Sequence, residues 1–286
     1  RGNTDFVGGV SDGIYGLAAY DYQRDNVRAK RAWFHFDDEI ICLGAAISCT
    51  GDSPLYQSIN QCHGKSEVLA SEESHSQILP KGQHSLPKAR WVLHDSVGYY
   101  FPENNSVQVR NDVQTGAWRD INDTPFYSDK PLNLNVFSIW IDLGKQARNK
   151  SYHYLVLPGI SAESLKSYQN PVAVLRNDST LQAVRHTQLN MIQAAYYQAG
   201  TLKIGNEMTL AVNQPVLLMV KTEPKSLALS LSNSRNKTLT VEVSVNGNYT
   251  CANCTWSAQD KMTRVSVSLP SGERAGKSVN IQLMKR

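Results

Sequence analysis

Residues 8–43, GGVSDGIYGLAAYDYQRDNVRAKRAWFHFDDEIICL, decide the fold class. β-Branched, aromatic and small residues fill 14–22 and again 27–36, and only the polar knot Gln23-Arg24-Asp25-Asn26 separates the two arms. That pattern predicts a β-hairpin. Side chains alternate between faces along a strand, so Phe34 and Phe36 point toward a core while Arg31, Trp33 and His35 share the other side. An indole stacks on a pyranose ring and a guanidinium pairs with carboxylate or sulfate, so the second face suits an acidic sugar. The competing reading covers Trp33 with another sheet and leaves Arg31 merely solvated.

Outward from the hairpin, Asp37-Asp38 makes a turn, 39–47 reads as a buried strand, and 56–61 begins another. The stretch 71–88 is rich in Ser, Glu, His, Pro and Gly and is expected to be an exposed connection. Strands are expected again at 89–97, 107–111, 117–122, 134–143 and 152–157. The one convincing helix is 162–168, with Ser161 as its N-cap and Asn170-Pro171 as its stop. Strand patterns restart at 172 and recur to 284, and Asn246-Gly247 offers a hairpin turn. Short strands with Gly, Pro and Asn punctuation argue for an all-β fold of antiparallel sheets packed face to face. The expected division is a large β-sandwich over residues 1–171 and a smaller one over 172–286.

The 286 residues suffice for two domains. A net charge of +4 fits a polyanionic partner but falls short of the clustered basic stripe of a nucleic-acid binder. Apolar residues are dispersed, and no run is long enough to cross a bilayer. The chain opens on Arg1 with no initiator Met or signal peptide, so it is expected to begin inside a longer product or after processing. The cysteines Cys42, Cys49, Cys62, Cys251 and Cys254 are too scattered for a disulfide scaffold, and Cys251-x-x-Cys254 reads as a small disulfide or two free thiols. Seven Asn-x-Ser/Thr sequons, at Asn104, Asn122, Asn149, Asn177, Asn236, Asn248 and Asn253, fit a secreted surface. The seven histidines show no metal-binding spacing, and no nucleophile-elbow, P-loop or dinucleotide fingerprint occurs.

Several ordered motifs resemble polysaccharide lyase family 8. GGVSDGIYG is followed by AAYDY, AKRAWFHFDDEIICLG and INQC, then by WVLHDSVGYYFP (91–102), YLVLPGI (154–160) and LQAVRHTQLNMIQAAYYQAG (181–200). The resemblance covers most of the chain and is nearest to chondroitin lyases of the AC or ABC type. It implies the central and C-terminal β-domains of an enzyme that cleaves chondroitin sulfate, hyaluronan or xanthan by β-elimination. It also implies that the Asn, His, Tyr and Arg of catalysis sit on a helical toroid domain, and a supporting Glu on an upstream segment, so no catalytic residue is carried over. The chain alone is expected to be inactive and to pair with that helical domain.

On this resemblance Trp33, Arg31 and His35 are the substrate-touching candidates. Asp12, Asp21 and the Tyr22 carbonyl match a structural Ca²⁺ site held by some members, with Asp5 and Asn3 as further oxygen donors nearby. The alternative makes these aspartates turn-formers that cap backbone amides. The expected compartment is secreted or periplasmic, and the partner a glycosaminoglycan, with neither nucleic acid nor membrane. A stand-alone carbohydrate-binding or adhesion module is the rival from another class, since the fold does not fix the function. A third possibility is a structural interaction protein without a glycan ligand.

Overall fold

The polar knot at 23–26 turns the chain back through a two-residue connection in which Asp25 takes a positive φ of 52°. The computed structural model describes residues 3–73, 75–235 and 237–286. It opens with β1 (Val7–Ser11), β2 (Gly16–Arg24), β3 (Val27–His35) and β4 (Ile40–Cys49). β5 (Leu55–His63), β6 (Val68–Glu72), β7 (His75–Leu79), β8 (Gly82–His94) and β9 (Val97–Gly116) follow. Next come α1 (Trp118–Ile121), β10 (Leu132–Gly144), β11 (Lys150–Pro158) and α2 (Ala162–Lys166). The remainder is strand: β12 (Val172–Asn177), β13 (Leu181–His186), β14 (Met191–Tyr196), β15 (Gly200–Ile204), β16 (Met208–Val212), β17 (Val216–Glu223) and β18 (Ser226–Ser232). It ends with β19 (Leu239–Asn246), β20 (Tyr249–Thr250), β21 (Cys254–Ser257), β22 (Met262–Leu269) and β23 (Val279–Lys285). The fold is all-β, and its ladders are antiparallel.

The chain packs as two compact units. Unit 1 holds Arg1–Thr50, Ala147–His153 and Gln169–Arg286, and unit 2 holds Gly51–Gln146 and Tyr154–Tyr168. Unit 1 is a three-layer stack. Its middle layer is the seven-stranded sheet β12-β13-β14-β17-β18-β23-β20, and one outer layer is the five-stranded sheet β15-β16-β19-β22-β21. Between them lies a core of Ala183, Ile192, Ala194, Tyr196, Leu218, Val220, Val243 and Val265, each at most 4% exposed. Burial of each large aliphatic side chain contributes about 1.5–3 kcal/mol.

The other face of the middle sheet meets the ladder β1-β2-β3-β4. Phe6 packs on Tyr197 at 4.7 Å between ring centroids, and Phe36 packs on His186 at 4.9 Å. Gln193 donates through Nε2 to the His35 carbonyl at 3.3 Å. The Tyr197 hydroxyl donates to Gln182 Oε1 at 2.7 Å and lies 3.2 Å from the Arg31 carbonyl. Strand β14 is consequently buried on both faces, which is why its sequence lacks the apolar-polar alternation of a one-sided strand.

Unit 2 is built on the long strands β8, β9 and β10, with β6, β7 and β5 beside them. Its core contains Trp91, Phe101, Val107, Val109, Phe137 and Ile139. Here the structure departs from the sequence in two places. The polar stretch 71–88 is not a loop: it supplies β7 and half of β8. Strand β7 stands at the end of its sheet, pairs with β6 and is mostly exposed, so polar side chains cost it little, and Pro87 sits where the β8-β9 register shifts, between Leu86 and Ala89. The expected strand at 117–122 is instead the single turn α1, whose Asp120 Oδ2 accepts the Ala117 N–H at 2.8 Å.

The helix at 162 forms with Ser161 as N-cap, its hydroxyl accepting the Ser164 N–H at 3.1 Å. Asn246-Gly247 does turn the chain, with Gly247 at φ 108°, but β20 pairs with β23 and not with β19. Asn246 is engaged elsewhere, accepting the Thr209 N–H and donating to the Glu207 carbonyl, so the residue pair does not close a simple hairpin.

Candidate functional site

The β3 register puts Arg31 between Tyr20 and Gly44, Trp33 between Ala18 and Cys42, and His35 between Gly16 and Ile40. Ala32 and Phe34 are fully buried, so the intervening residues occupy the opposite face. There Arg31 and Trp33 are half-buried and His35 is exposed. The Arg31 guanidinium lies 5.5 Å from the Trp33 ring centroid, a cation–π pair that aligns charge and indole. Arg31 Nε also donates to the Tyr152 hydroxyl at 3.2 Å.

Tyr152 was not visible as a site residue from the sequence. It comes from β11, 121 positions along the chain from Arg31. Its ring occupies the space over Gly44, where an added Cβ would fall 2.2 Å from Cε1. Asn177 fixes this arrangement by donating through Nδ2 to the carbonyls of both Gly44 and Tyr152, each at 3.2 Å. Gln182 in turn donates to Asn177 Oδ1 at 2.8 Å. The available signal was an amide placed inside an apolar strand, as in LQAV (181–184) and MIQAAYY (191–197). Asn177 is consumed by this network, so its sequon is not a free surface acceptor; Asn236 and the Asn104 side chain lie outside the described residues.

Burial pushes the Tyr152 phenol above its ordinary pKa despite the pull of Arg31, which makes it a fixed donor–acceptor and a poor base. Although His35 is exposed, desolvation of its ring by the surrounding strands pushes its pKa down, which favours the uncharged form. The row can stack on a sugar ring and offer a held cation beside it.

Two of the oxygen donors matched to calcium, Asp12 and Asp21, do not converge. Asp21 lies where its N–H bonds the Phe6 carbonyl, and Asp12 is six residues beyond Phe6, just past the end of β1, about 20 Å away at strand rise. Calcium ligands stand within about 2.3–2.6 Å of the ion, so the two carboxylates cannot share one. Asp12 Oδ1 instead accepts the N–H groups of Ile14 and Tyr15 at 2.9 and 2.8 Å, closing the β1-β2 turn. Asp21 pairs with Lys30 at 2.6 Å, and Asp5 with Arg235 and Lys237 at 3.3 and 3.4 Å. Tyr22 is half-buried, edge-on to Tyr20 at 5.6 Å, and Asn3 donates its N–H to the Gln23 carbonyl. Among the described residues no group of three or more His, Cys, Asp or Glu side chains could hold a metal ion. Asp12 therefore stands apart from Asp21 and Tyr22, which lie beside residues 3–6.

The chain matches two family models: polysaccharide lyase family 8, super-sandwich domain, over residues 1–169, and the C-terminal beta-sandwich domain of the same family over 173–242. It is similar to chondroitinase-AC of Pedobacter heparinus, 34% identical over 99% of this chain and 39% of that protein. Xanthan lyase of a Bacillus species is 30% identical over 65% of this chain and 21% of that protein. A solved chondroitinase AC lyase superposes with a TM-score of 0.86 at 33% identity, covering 98% of this chain and 40% of that one. Paenibacillus xanthan lyase superposes at 0.87 and 22% identity over all of this chain and 29% of its own, a likeness of fold. The chain thus spans about two fifths or less of the relatives it matches. The match in order of super-sandwich and C-terminal sandwich, on a structure built of those sheets, establishes that this chain belongs to polysaccharide lyase family 8.

Proposed function

We propose that this chain is the β-sandwich portion of a secreted or periplasmic glycosaminoglycan lyase, and that it holds an acidic polysaccharide for β-elimination. The carrying observation is the Arg31-Trp33 pair: a cation 5.5 Å from an indole, tied at Nε to a buried Tyr152. A hexuronate unit has an apolar ring face for the indole and a carboxylate for the guanidinium. Relatives named chondroitinase-AC and hyaluronate lyase support a glycosaminoglycan as the polymer. The Cys251–Cys254 disulfide supports an oxidising compartment.

Elimination needs the uronate carboxylate neutralised, a base for the C5 proton and an acid for the leaving oxygen. Residues of this chain supply binding and orientation in this reading. The base and acid come from a helical domain outside the chain, consistent with the share of its relatives that the chain spans. In the complete enzyme Trp33→Ala raises KM for chondroitin sulfate or hyaluronan at least tenfold, read by the ultraviolet absorbance of the unsaturated uronate. Unchanged KM and kcat would return Trp33 to a packing role. The isolated chain gives no such absorbance, and turnover by it would remove the claim that catalysis lies elsewhere. A stand-alone carbohydrate-binding module is the second reading. Sequence upstream of Arg1 separates them: several hundred residues of amphipathic helix favour the lyase, a short signal peptide the module.

A further inference from the structure

Strand β10 shows a clean alternation at its middle. Phe137, Ile139 and Ile141 face the core of unit 2, at 0%, 0% and 7% exposure, so Val136, Ser138, Trp140 and Asp142 face outward. A solvent-facing sheet surface is ordinarily polar, and a tryptophan there is not explained by packing. The register sets Trp140 opposite Ser58 on β5 and Gln108 on β9, and Ser138 opposite Gln61 and Arg110. Tyr56, half exposed at 54%, meets the Trp140 ring edge-on at 6.4 Å. A register shift between Ile139 and Trp140 breaks the plane of the sheet at this point. Tyr56, Ser58, Gln61, Arg110, Ser138 and Trp140 line a shallow depression of about 340 Å³.

Arg110 supplies the second, independent observation. It is exposed, and its guanidinium forms no hydrogen bond or ion pair among the described residues, whereas Arg176, Arg185 and Arg264 each pair with a carboxylate. Two acidic residues flanking this face, Asp112 and Asp142, each turn Oδ1 to a backbone N–H, of Val113 and Gly144 respectively, and form no ion pair with Arg110 among the described residues. Among the described residues that line the depression, Arg110 carries the one charge, set among amides, hydroxyls and two aromatic rings.

We infer that this outward face of β5, β10 and β9 is a second polysaccharide-binding surface, on which Trp140 and Tyr56 stack a sugar ring and Arg110 pairs with its carboxylate or sulfate. The inference rests on the proposed function only for the choice of polymer. Among the described residues, the lining holds no carboxylate or imidazole to serve as a base, and the site retains chain without cleaving it.

The test is calorimetric titration of the full 286-residue chain carrying Trp33→Ala with chondroitin sulfate oligosaccharides at low salt. Binding persists in that background. Trp140→Ala weakens it about tenfold, and Arg110→Gln weakens it about fivefold while flattening the salt dependence. Both positions lie on the surface, and unchanged far- and near-ultraviolet circular dichroism confirms folding; Tyr56→Ala gives a third, milder loss. No binding in the Trp33→Ala background, or binding indifferent to both substitutions, overturns the inference while leaving the lyase reading intact. Equal affinity for an uncharged dextran overturns the assignment to an acidic polymer. If Trp33→Ala leaves the complete enzyme unchanged but Trp140→Ala abolishes retention, this surface stands and the proposed role of Trp33 falls.

Discussion

Gly44→Ala tests whether the Arg31-Tyr152 contact is built in or incidental. A methyl at Gly44 would lie 2.2, 2.4 and 2.7 Å from Cε1, Cζ and Cδ1 of Tyr152, well inside the ~3.5–4.0 Å of ordinary carbon contacts. The ring is 5% exposed, and its backbone carbonyl is held together with that of Gly44 by Asn177, so it has no free direction to yield. Forcing an extra carbon into such a space costs about 1–3 kcal/mol. Losing the Arg31 hydrogen bond, which involves a charged donor, adds about 1.5–3 kcal/mol. A stiffer unfolded chain returns up to about 1 kcal/mol, since Gly44 is not at positive φ. The net expectation is roughly 1.5–6 kcal/mol, a fall in Tm on the order of 10 °C. Urea and thermal denaturation followed by circular dichroism measure it. The decisive control is the double mutant: on a Tyr152→Ala background the added methyl has nothing to strike, so Gly44→Ala costs close to zero and the coupling is about 2 kcal/mol or more. A single-mutant cost below about 0.5 kcal/mol, or the same cost with and without the Tyr152 ring, refutes the reasoning.

Three further outcomes are expected. Asn177→Ala leaves the Gly44 and Tyr152 carbonyls and the Gln182 amide short of a partner and lowers stability by about 2–4 kcal/mol, seen as a lower urea midpoint with unchanged slope. Burial raises the Asp178 carboxyl, but the Thr180 hydroxyl, Arg176 and the amides of Thr180 and Leu181 outweigh it and bring its pKa to about 2. A folded pKa below the unfolded one stabilises above pH ~4 and loses that contribution as pH falls through ~2, so Asp178→Asn removes part of the acid slope in that window. The Cys251–Cys254 bridge closes a loop of only a few residues, so replacing both cysteines by serine costs at most about 2 kcal/mol, and thiol titration of the denatured, unreduced chain finds Cys42, Cys49 and Cys62 alone.

The elements with strong local chemistry were legible in the sequence. The knot at 23–26 marks the β2-β3 turn because four polar residues interrupt two apolar arms, and Ser161 marks a helix start because its hydroxyl can cap an amide. Alternation also separated Phe34 from Arg31 and Trp33 correctly. What failed did so for want of long-range information. Polar residues at 71–88 look like a loop until the edge position of β7 is known, and Asn246-Gly247 looks like a hairpin until Thr209 and Glu207 claim the asparagine. Asp12 and Asp21 are close in sequence, yet the length of an extended strand carries them apart. Tyr152 and Trp140 were missed because each gains its meaning from a neighbour that the register supplies: Arg31 in one case, Arg110 and Tyr56 in the other.

The central strands of the middle sheet, β14 and most of β17, have no face of their own to give to water. Met191, Gln193, Tyr197, Leu217 and Met219 on one side are as dry as the valines on the other. Severing the gene after residue 171 would therefore yield two adhesive fragments, each seeking the wall it lost. Anyone grafting the last hundred residues of one lyase onto another must transplant the first fifty with them, and gene shuffling faces the same restriction.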